Sequence, residues 1–87
     1  MIQATTENII REILTTEFDL TSDQIKLESK LKDDLNINSL ERSLLSLEME
    51  VAFGVVIYQK DVELIETVGE LVDYINFLLP DPSSVYY

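Results

Sequence analysis

The chain has 87 residues, a formal charge of −11 and neither histidine nor cysteine, so a Ser-His-Asp triad, a Cys-His pair and a Cys/His zinc site are all excluded. At 46% hydrophobic with 2 glycines and 2 prolines it reads as one domain with a core of its own, although a domain this small buries only about 60% of its unfolded surface. The acidity argues against nucleic acid and anionic membranes and for basic protein surfaces, or else serves only to keep a monomer soluble.

Met1-Ile2-Gln3-Ala4 lacks the basic start and apolar core of a secretory leader, and the longest nearly apolar run, Val51 to Tyr58, is far too short to span a bilayer. The absence of cysteine fits a reducing compartment. The cytoplasm is the expected location, without stable membrane insertion.

Thr5 or Thr6 is placed to cap a first helix in which Ile9, Ile10, Ile13, Leu14 and Phe18 recur at helical spacing and Glu7, Arg11, Glu12 and Thr16 face out. Asp19 to Asn38 is then a long polar connection. Loops of about twenty residues are unusual in a compact domain and are functional or packed by their own side chains. Leu20, Ile25, Leu27, Leu31 and Leu35 predict that this one is pinned to the core, with a short helical turn at Ser22-Asp23-Gln24-Ile25.

The stretch Asp33-Asp34-Leu35-Asn36-Ile37-Asn38-Ser39-Leu40-Glu41 opens the second helix. Asn38 is a good N-cap and Glu41, three residues on, completes a capping box, which makes Ser39 the first helical residue. Leu35 and Ile37 anchor the incoming loop, and one hydroxyl stands at the helix head, accessible to another enzyme. Lys30 and Lys32 lie in polar loop sequence, so no side chain is an evident base and Ser39 reads as a substrate of modification, not a catalytic nucleophile. Asp33, Asp34 and Glu41 are acidic neighbours whose spacing matches no calcium loop, so no metal site is expected.

The helix runs from Ser39 to about Phe53. At 100° per residue, Leu44, Leu47 and Val51 fall within about 40° of Leu40, while Leu45, Met49, Ala52 and Phe53 cluster at roughly 120° to 220°. Glu41 and Glu48 separate the two stripes on one flank, Ser39, Ser43, Ser46 and Glu50 on the other, and Arg42 interrupts the acidity. One stripe is core. The other is a face for a partner, for the long loop or for self-association, because an amphipathic stripe alone names no ligand.

Gly54 is placed as a C-terminal cap. Val55-Val56-Ile57-Tyr58 has the β-branched content of a strand but no second strand to pair with, so it reads as an extended segment entering the core. Asp61 to Ile65 forms a short third helix with Val62 and Ile65 inward. Thr67-Val68-Gly69-Glu70 is a capping box opening a last helix, whose buried face is Val68, Leu71, Val72, Ile75, Leu78 and Leu79. Pro80 stops it, and Asp81 to Tyr87 is a polar tail in which Tyr86 and Tyr87 have no obvious role.

Asp34-Leu35-x-x-Asn38-Ser39-Leu40-Glu41 resembles the Asp-Leu-Gly-x-Asp-Ser-Leu-Asp/Glu signature of acyl carrier proteins. The resemblance extends from about Thr6 to Leu79 and includes Phe53 and Thr67-Val68-x-x-Leu71-Val72-Asp73-Tyr74-Ile75. It implies an all-α, four-helix acyl-carrier-type bundle with a long loop between helices 1 and 2 and a short third helix, residues 1–80 being the carrier domain and 81–87 a C-terminal tail. It implies a monomeric carrier, not an enzyme. A phosphopantetheinyl transferase attaches phosphopantetheine from coenzyme A to Ser39, and the arm then holds acyl groups as thioesters for acyl-transferring or acyl-modifying enzymes.

The same resemblance assigns Leu45, Met49 and Phe53 to the core. It places Asn38, Leu40, Glu41, Leu44, Leu47, Glu48 and Val51 on the face shown to partners, and suggests an acyl chain sheltered among Leu45, Met49, Phe53, Ile57 and Ile65. Three positions depart from the pattern: Asn36 replaces a glycine, Asn38 an aspartate and Tyr58 a frequent proline. Asparagine tolerates a left-handed backbone, whereas Asn38 keeps the cap and loses a charge worth about 0.3–1 kcal/mol at a helix start. These departures point to a specialised fatty-acid, lipid or polyketide-type pathway. The alternative is an unmodified interaction domain on the carrier fold, in which Ser39 never acquires the arm.

Overall fold

Local capping chemistry sets the starts of the three longer helices in the computed structural model, which describes residues 5–79. Pro80 and the tail 81–87, like Met1 to Ala4, lie outside the described residues. Helix α1 spans Thr6–Glu17, its first turn closed by the Asn8 N–H donating to Thr5 Oγ1 at 3.1 Å. It ends as the chain turns through Asp19 at φ 56°, a left-handed conformation that aspartate tolerates. Helix α2 covers Ser39–Phe53 and stops at Gly54, which at φ 66° is the left-handed cap expected there. Helix α4, Val68–Leu78, opens on the reciprocal Thr67/Glu70 box.

The short helix α3 spans Gln59–Leu64, two residues earlier than the sequence pattern places it. The Tyr58 carbonyl accepts from Asp61 N at 3.0 Å and Val62 N at 3.3 Å, so the first turn is already closed before Asp61. Val62 and Ile65 point inward as expected, and Ile65 returns to extended backbone. Residues 55–58 run extended with Ile57 buried, and among the described residues no strand forms. Among the described residues, an isolated bridge pairs Lys30 with Thr67.

Helix α1 packs against α2 and α4, and α3 packs against α2. The core is filled by Ile10, Leu14, Leu45, Met49, Val62, Leu71 and Ile75 together with loop side chains. Helices of 6 to 15 residues hold together by such burial more than by propensity. Across the bundle, the Thr6 hydroxyl donates to Asn76 Oδ1, joining the start of α1 to α4.

The long connection is strapped down. Its helical turn appears as a 3-10 segment at Ser22–Gln24. Ile25, Leu31 and Leu35 are buried and Leu20 is half-buried, whereas Leu27 is exposed. Leu27 acts through its backbone instead: its carbonyl accepts from Gly69 N at 2.8 Å, the Ser29 carbonyl from Val68 N at 3.0 Å, and the Glu66 carbonyl from Leu31 N at 2.8 Å. A Cβ at Gly69 would come within 3.0 Å of the Leu27 oxygen, so glycine permits the closest of these approaches.

Five further positions depart from the helical-wheel reading. Ala52 is exposed, because the neighbouring elements do not reach that side of the last turn of α2. Ser46 is buried instead, its hydroxyl donating to the Arg42 carbonyl at 3.0 Å, which satisfies it without a partner from another element. Val72, Leu78 and Leu79 are half-buried at the edge of the core, not inside it.

Tyr74 on α4 donates its hydroxyl to Asp61 Oδ2 on α3 at 3.1 Å. Burial first, and the Asp61 acceptor second, raise its pKa above the ordinary 10.0. Because the folded value lies above the unfolded one, this contribution to stability is present below the unfolded value and is lost as pH rises through the folded one. Tyr74→Phe is therefore expected to flatten the alkaline limb of a stability-against-pH profile, and an unchanged limb counts against the assignment.

Candidate functional site

Loop residues 30–37 are wound into a tight knot that aims Ser39. Lys30 N donates to Asp34 Oδ2 at 2.8 Å, while Asp34 N and Leu35 N return to the Lys30 carbonyl at 2.9 and 3.0 Å. Asn36 turns the chain at φ 57°, the left-handed conformation for which glycine is the usual residue, and Ile37 N closes onto the Leu31 carbonyl at 2.8 Å. Leu35 and Ile37 are buried and hold the knot to the core, as their position in the sequence predicts.

From this base α2 begins with a complete capping box. Glu41 N donates to Asn38 Oδ1 at 2.8 Å and Asn38 N donates to Glu41 Oε1 at 3.0 Å. Ser39 follows as the first helical residue and is exposed. It borders an open groove of ≈ 520 Å³ lined also by Lys32, Asp33, Asn36, Ile37, Asn38 and Arg42, with Ile37 the one apolar contributor. Asp34 and Glu41 are spent on backbone N–H groups, and among the described residues no group of His, Cys, Asp or Glu is arranged to hold a metal ion.

The structure separates the two stripes of α2. Leu45 and Met49 are fully buried and Phe53 half-buried against the core, whereas Leu40 is 80% exposed, Leu44 43%, Leu47 59% and Val51 85%. Asn38 and Ser39 are exposed at the head of the same helix, and Glu41 and Glu48 are half-buried. The loop does not fold over this face. All eight of these positions therefore lie on α2 or its cap, on a surface that continues from the serine down the helix.

Arg42 corrects the sequence reading. Its charge does not dilute the acidity of the exposed face, because Nη1 donates to the Val62 carbonyl at 2.8 Å and to the Ile65 carbonyl at 2.7 Å, capping the end of α3. The wheel carried the signal: two residues past Leu40 is about 200°, inside the core-facing stripe. Glu50 has a comparable task that sequence reasoning left out, since its Oε2 accepts from Ile57 N at 2.7 Å and holds the extended 55–58 segment to α2.

Comparison with known proteins gives a consistent result. Residues 8–75 match the family described as "Phosphopantetheine attachment site". The acyl carrier protein of Chlorobium phaeobacteroides is 39% identical over 75 residues, covering 86% of this chain and 96% of that protein. Its counterpart in Chlorobium luteolum is likewise 39% identical over 75 residues, with the same coverage. Among solved structures, the acyl carrier protein of Enterococcus faecalis superposes with a TM-score of 0.66 at 40% identity, covering 82% of this chain and 94% of that one. Among the described residues no helix is long and apolar enough to cross a membrane.

Proposed function

This chain belongs to the acyl carrier protein family, and from that premise we infer that Ser39 is the residue that carries the phosphopantetheine arm. The protein is a carrier, not an enzyme, and phosphopantetheine is its cofactor. The observation that carries the assignment is the head of α2: an exposed serine hydroxyl, the first residue after a closed capping box, beside an open groove.

The residues fit the group. An exposed primary hydroxyl is the acceptor that phosphoryl transfer from coenzyme A requires, and the groove beside it brings Lys32 near the point of attachment. When bound, the arm supplies a terminal thiol that holds acyl groups as thioesters. The chain itself supplies a fixed point of attachment, a fold free of competing cysteine and histidine nucleophiles, and a surface for the enzymes that load and unload the arm.

That surface is the exposed side of α2: Asn38, Leu40, Glu41, Leu44, Leu47, Glu48 and Val51. Its centre is apolar, so its partners, a phosphopantetheinyl transferase and the acyl-transferring or acyl-modifying enzymes of a specialised fatty-acid, lipid or polyketide-type pathway, dock by burying it while charge steers the approach. The carrier works as a monomer of residues 1–80 in the cytoplasm, with 81–87 as a tail.

The test is intact mass after incubation with coenzyme A, magnesium and a promiscuous transferase. One added phosphopantetheine is expected, and none on Ser39→Ala. An unmodified protein, including when isolated from its native host, would instead support a carrier fold kept as an interaction domain. Asn38→Asp restores a carboxylate at the cap, where the helix start favours it by about 0.3–1 kcal/mol. It is expected to speed loading by a generic transferase, and an unchanged rate would show that this position does not limit recognition.

A further inference from the structure

The side of α2 that faces α3 carries a charge where a lipid-binding seam would need hydrocarbon. Arg42 is half-buried, and its guanidinium spans from the first turns of α2 to the Val62 and Ile65 carbonyls at the end of α3. It lines both hollows next to the attachment point: the ≈ 520 Å³ groove at Ser39 and a ≈ 200 Å³ one further along, formed with Lys30, Glu63, Ile65 and Glu66. Each hollow has a single apolar lining residue, Ile37 in the first and Ile65 in the second. Behind Arg42 the side chains that an entering chain would have to part, Leu45, Met49 and Val62, are wholly inaccessible.

An alkyl chain gains free energy only where it leaves water for an apolar surface. Neither hollow offers a continuous one, since polar and apolar surface share each lining about equally. Opening the bundle between α2 and α3 would strip two carbonyls of a charged donor, leaving the Ile65 carbonyl without that partner while the Val62 carbonyl keeps the Ile65 N–H at 3.1 Å. We propose that Arg42 is a latch that keeps the bundle shut beneath Ser39, so that this protein carries its acyl group outside the core and is suited to short or polar acyl groups, not long alkyl chains. This rests on Ser39 as the attachment site. Arg42 is a specificity-determining residue here, with no part in the chemistry of transfer.

The test loads Ser39 from acetyl-, hexanoyl- and dodecanoyl-coenzyme A with a promiscuous transferase, verifies each product by intact mass, and follows melting temperature and the methyl NMR signals of Met49 and Val62. In the native chain the three products are expected to melt together and to show the same core methyl shifts. In Arg42→Leu the melting temperature is expected to climb with chain length and the Met49 and Val62 signals to move with the dodecanoyl group. Length-dependent melting with moving core signals in the native protein overturns the latch, whether or not the variant folds. So does an Arg42→Leu protein that folds, loads and shows no length dependence. Absence of any mass gain overturns the attachment site itself, and with it this proposal, and so is told apart from failure of the latch alone.

Discussion

Leu45→Glu is expected to unfold the domain, while Leu44→Glu, one residue away, leaves it folded and disables it as a partner in acyl transfer. Leu45 is 0% exposed against Met49 and the other helices, and a carboxylate placed there must be buried unpaired or neutralised. That cost is several kcal/mol against a total stability of about 5–15 kcal/mol for a domain. Leu44 is 43% exposed, so the same change there loses little packing and alters stability by less than about 1 kcal/mol. A docked partner, however, would bury that side chain, and losing about 1.5–3 kcal/mol of such burial corresponds to roughly a ten- to hundredfold weaker encounter. Circular dichroism melts of both variants and the transfer rate of loaded Leu44→Glu check both halves. Cooperative loss of structure in Leu44→Glu would move that residue into the core and remove the proposed docking face.

Glu50→Ala is the second large effect, and it acts through a residue whose solvent-flank position looks expendable. The Glu50 carboxylate accepts from Ile57 N at 2.7 Å just where the chain leaves Gly54 and turns Ile57, 8% exposed, into the core. Alanine would leave that N–H without its acceptor, a loss of about 1–3 kcal/mol. For a domain of this size the melting temperature falls by about 4–8 °C per kcal/mol. Glu50→Gln keeps an oxygen in place and is expected to recover most of the difference. Hydrogen exchange at Ile57 reports the bond directly: faster exchange in the alanine variant is expected, and equal protection in both would mean that another group holds the segment.

The head of α2 was legible in the sequence because capping is a local affair. Asn38 and Glu41 satisfy each other's backbone groups within three residues, Gly54 supplies a left-handed stop, and Thr67 with Glu70 opens α4 by the same chemistry. The two apolar stripes of α2 were legible for a related reason, since a period of 3.6 residues fixes the angle between side chains before any packing occurs. The buried loop residues Leu31, Leu35 and Ile37 stood out as apolar side chains in otherwise polar sequence.

The sequence by itself thus determined the helices, the exposed serine at the head of α2 and the existence of two apolar stripes. Periodicity did not decide which stripe meets solvent, since an angle on a wheel does not say where the neighbouring helix lies. The family resemblance assigns Leu45, Met49 and Phe53 to the core, and the packing of the helices is the physical reason that it holds. Tertiary structure alone decided that Leu27 contributes a carbonyl while its side chain stays outside, and that α3 starts at Gln59 on the Tyr58 carbonyl. It also gave Arg42 its role, because the carbonyls it caps belong to residues 20 and 23 positions further along the chain. A charge on a helix surface and a charge holding two helices together are the same letter in the sequence, and only the approach of α3 to α2 distinguishes them.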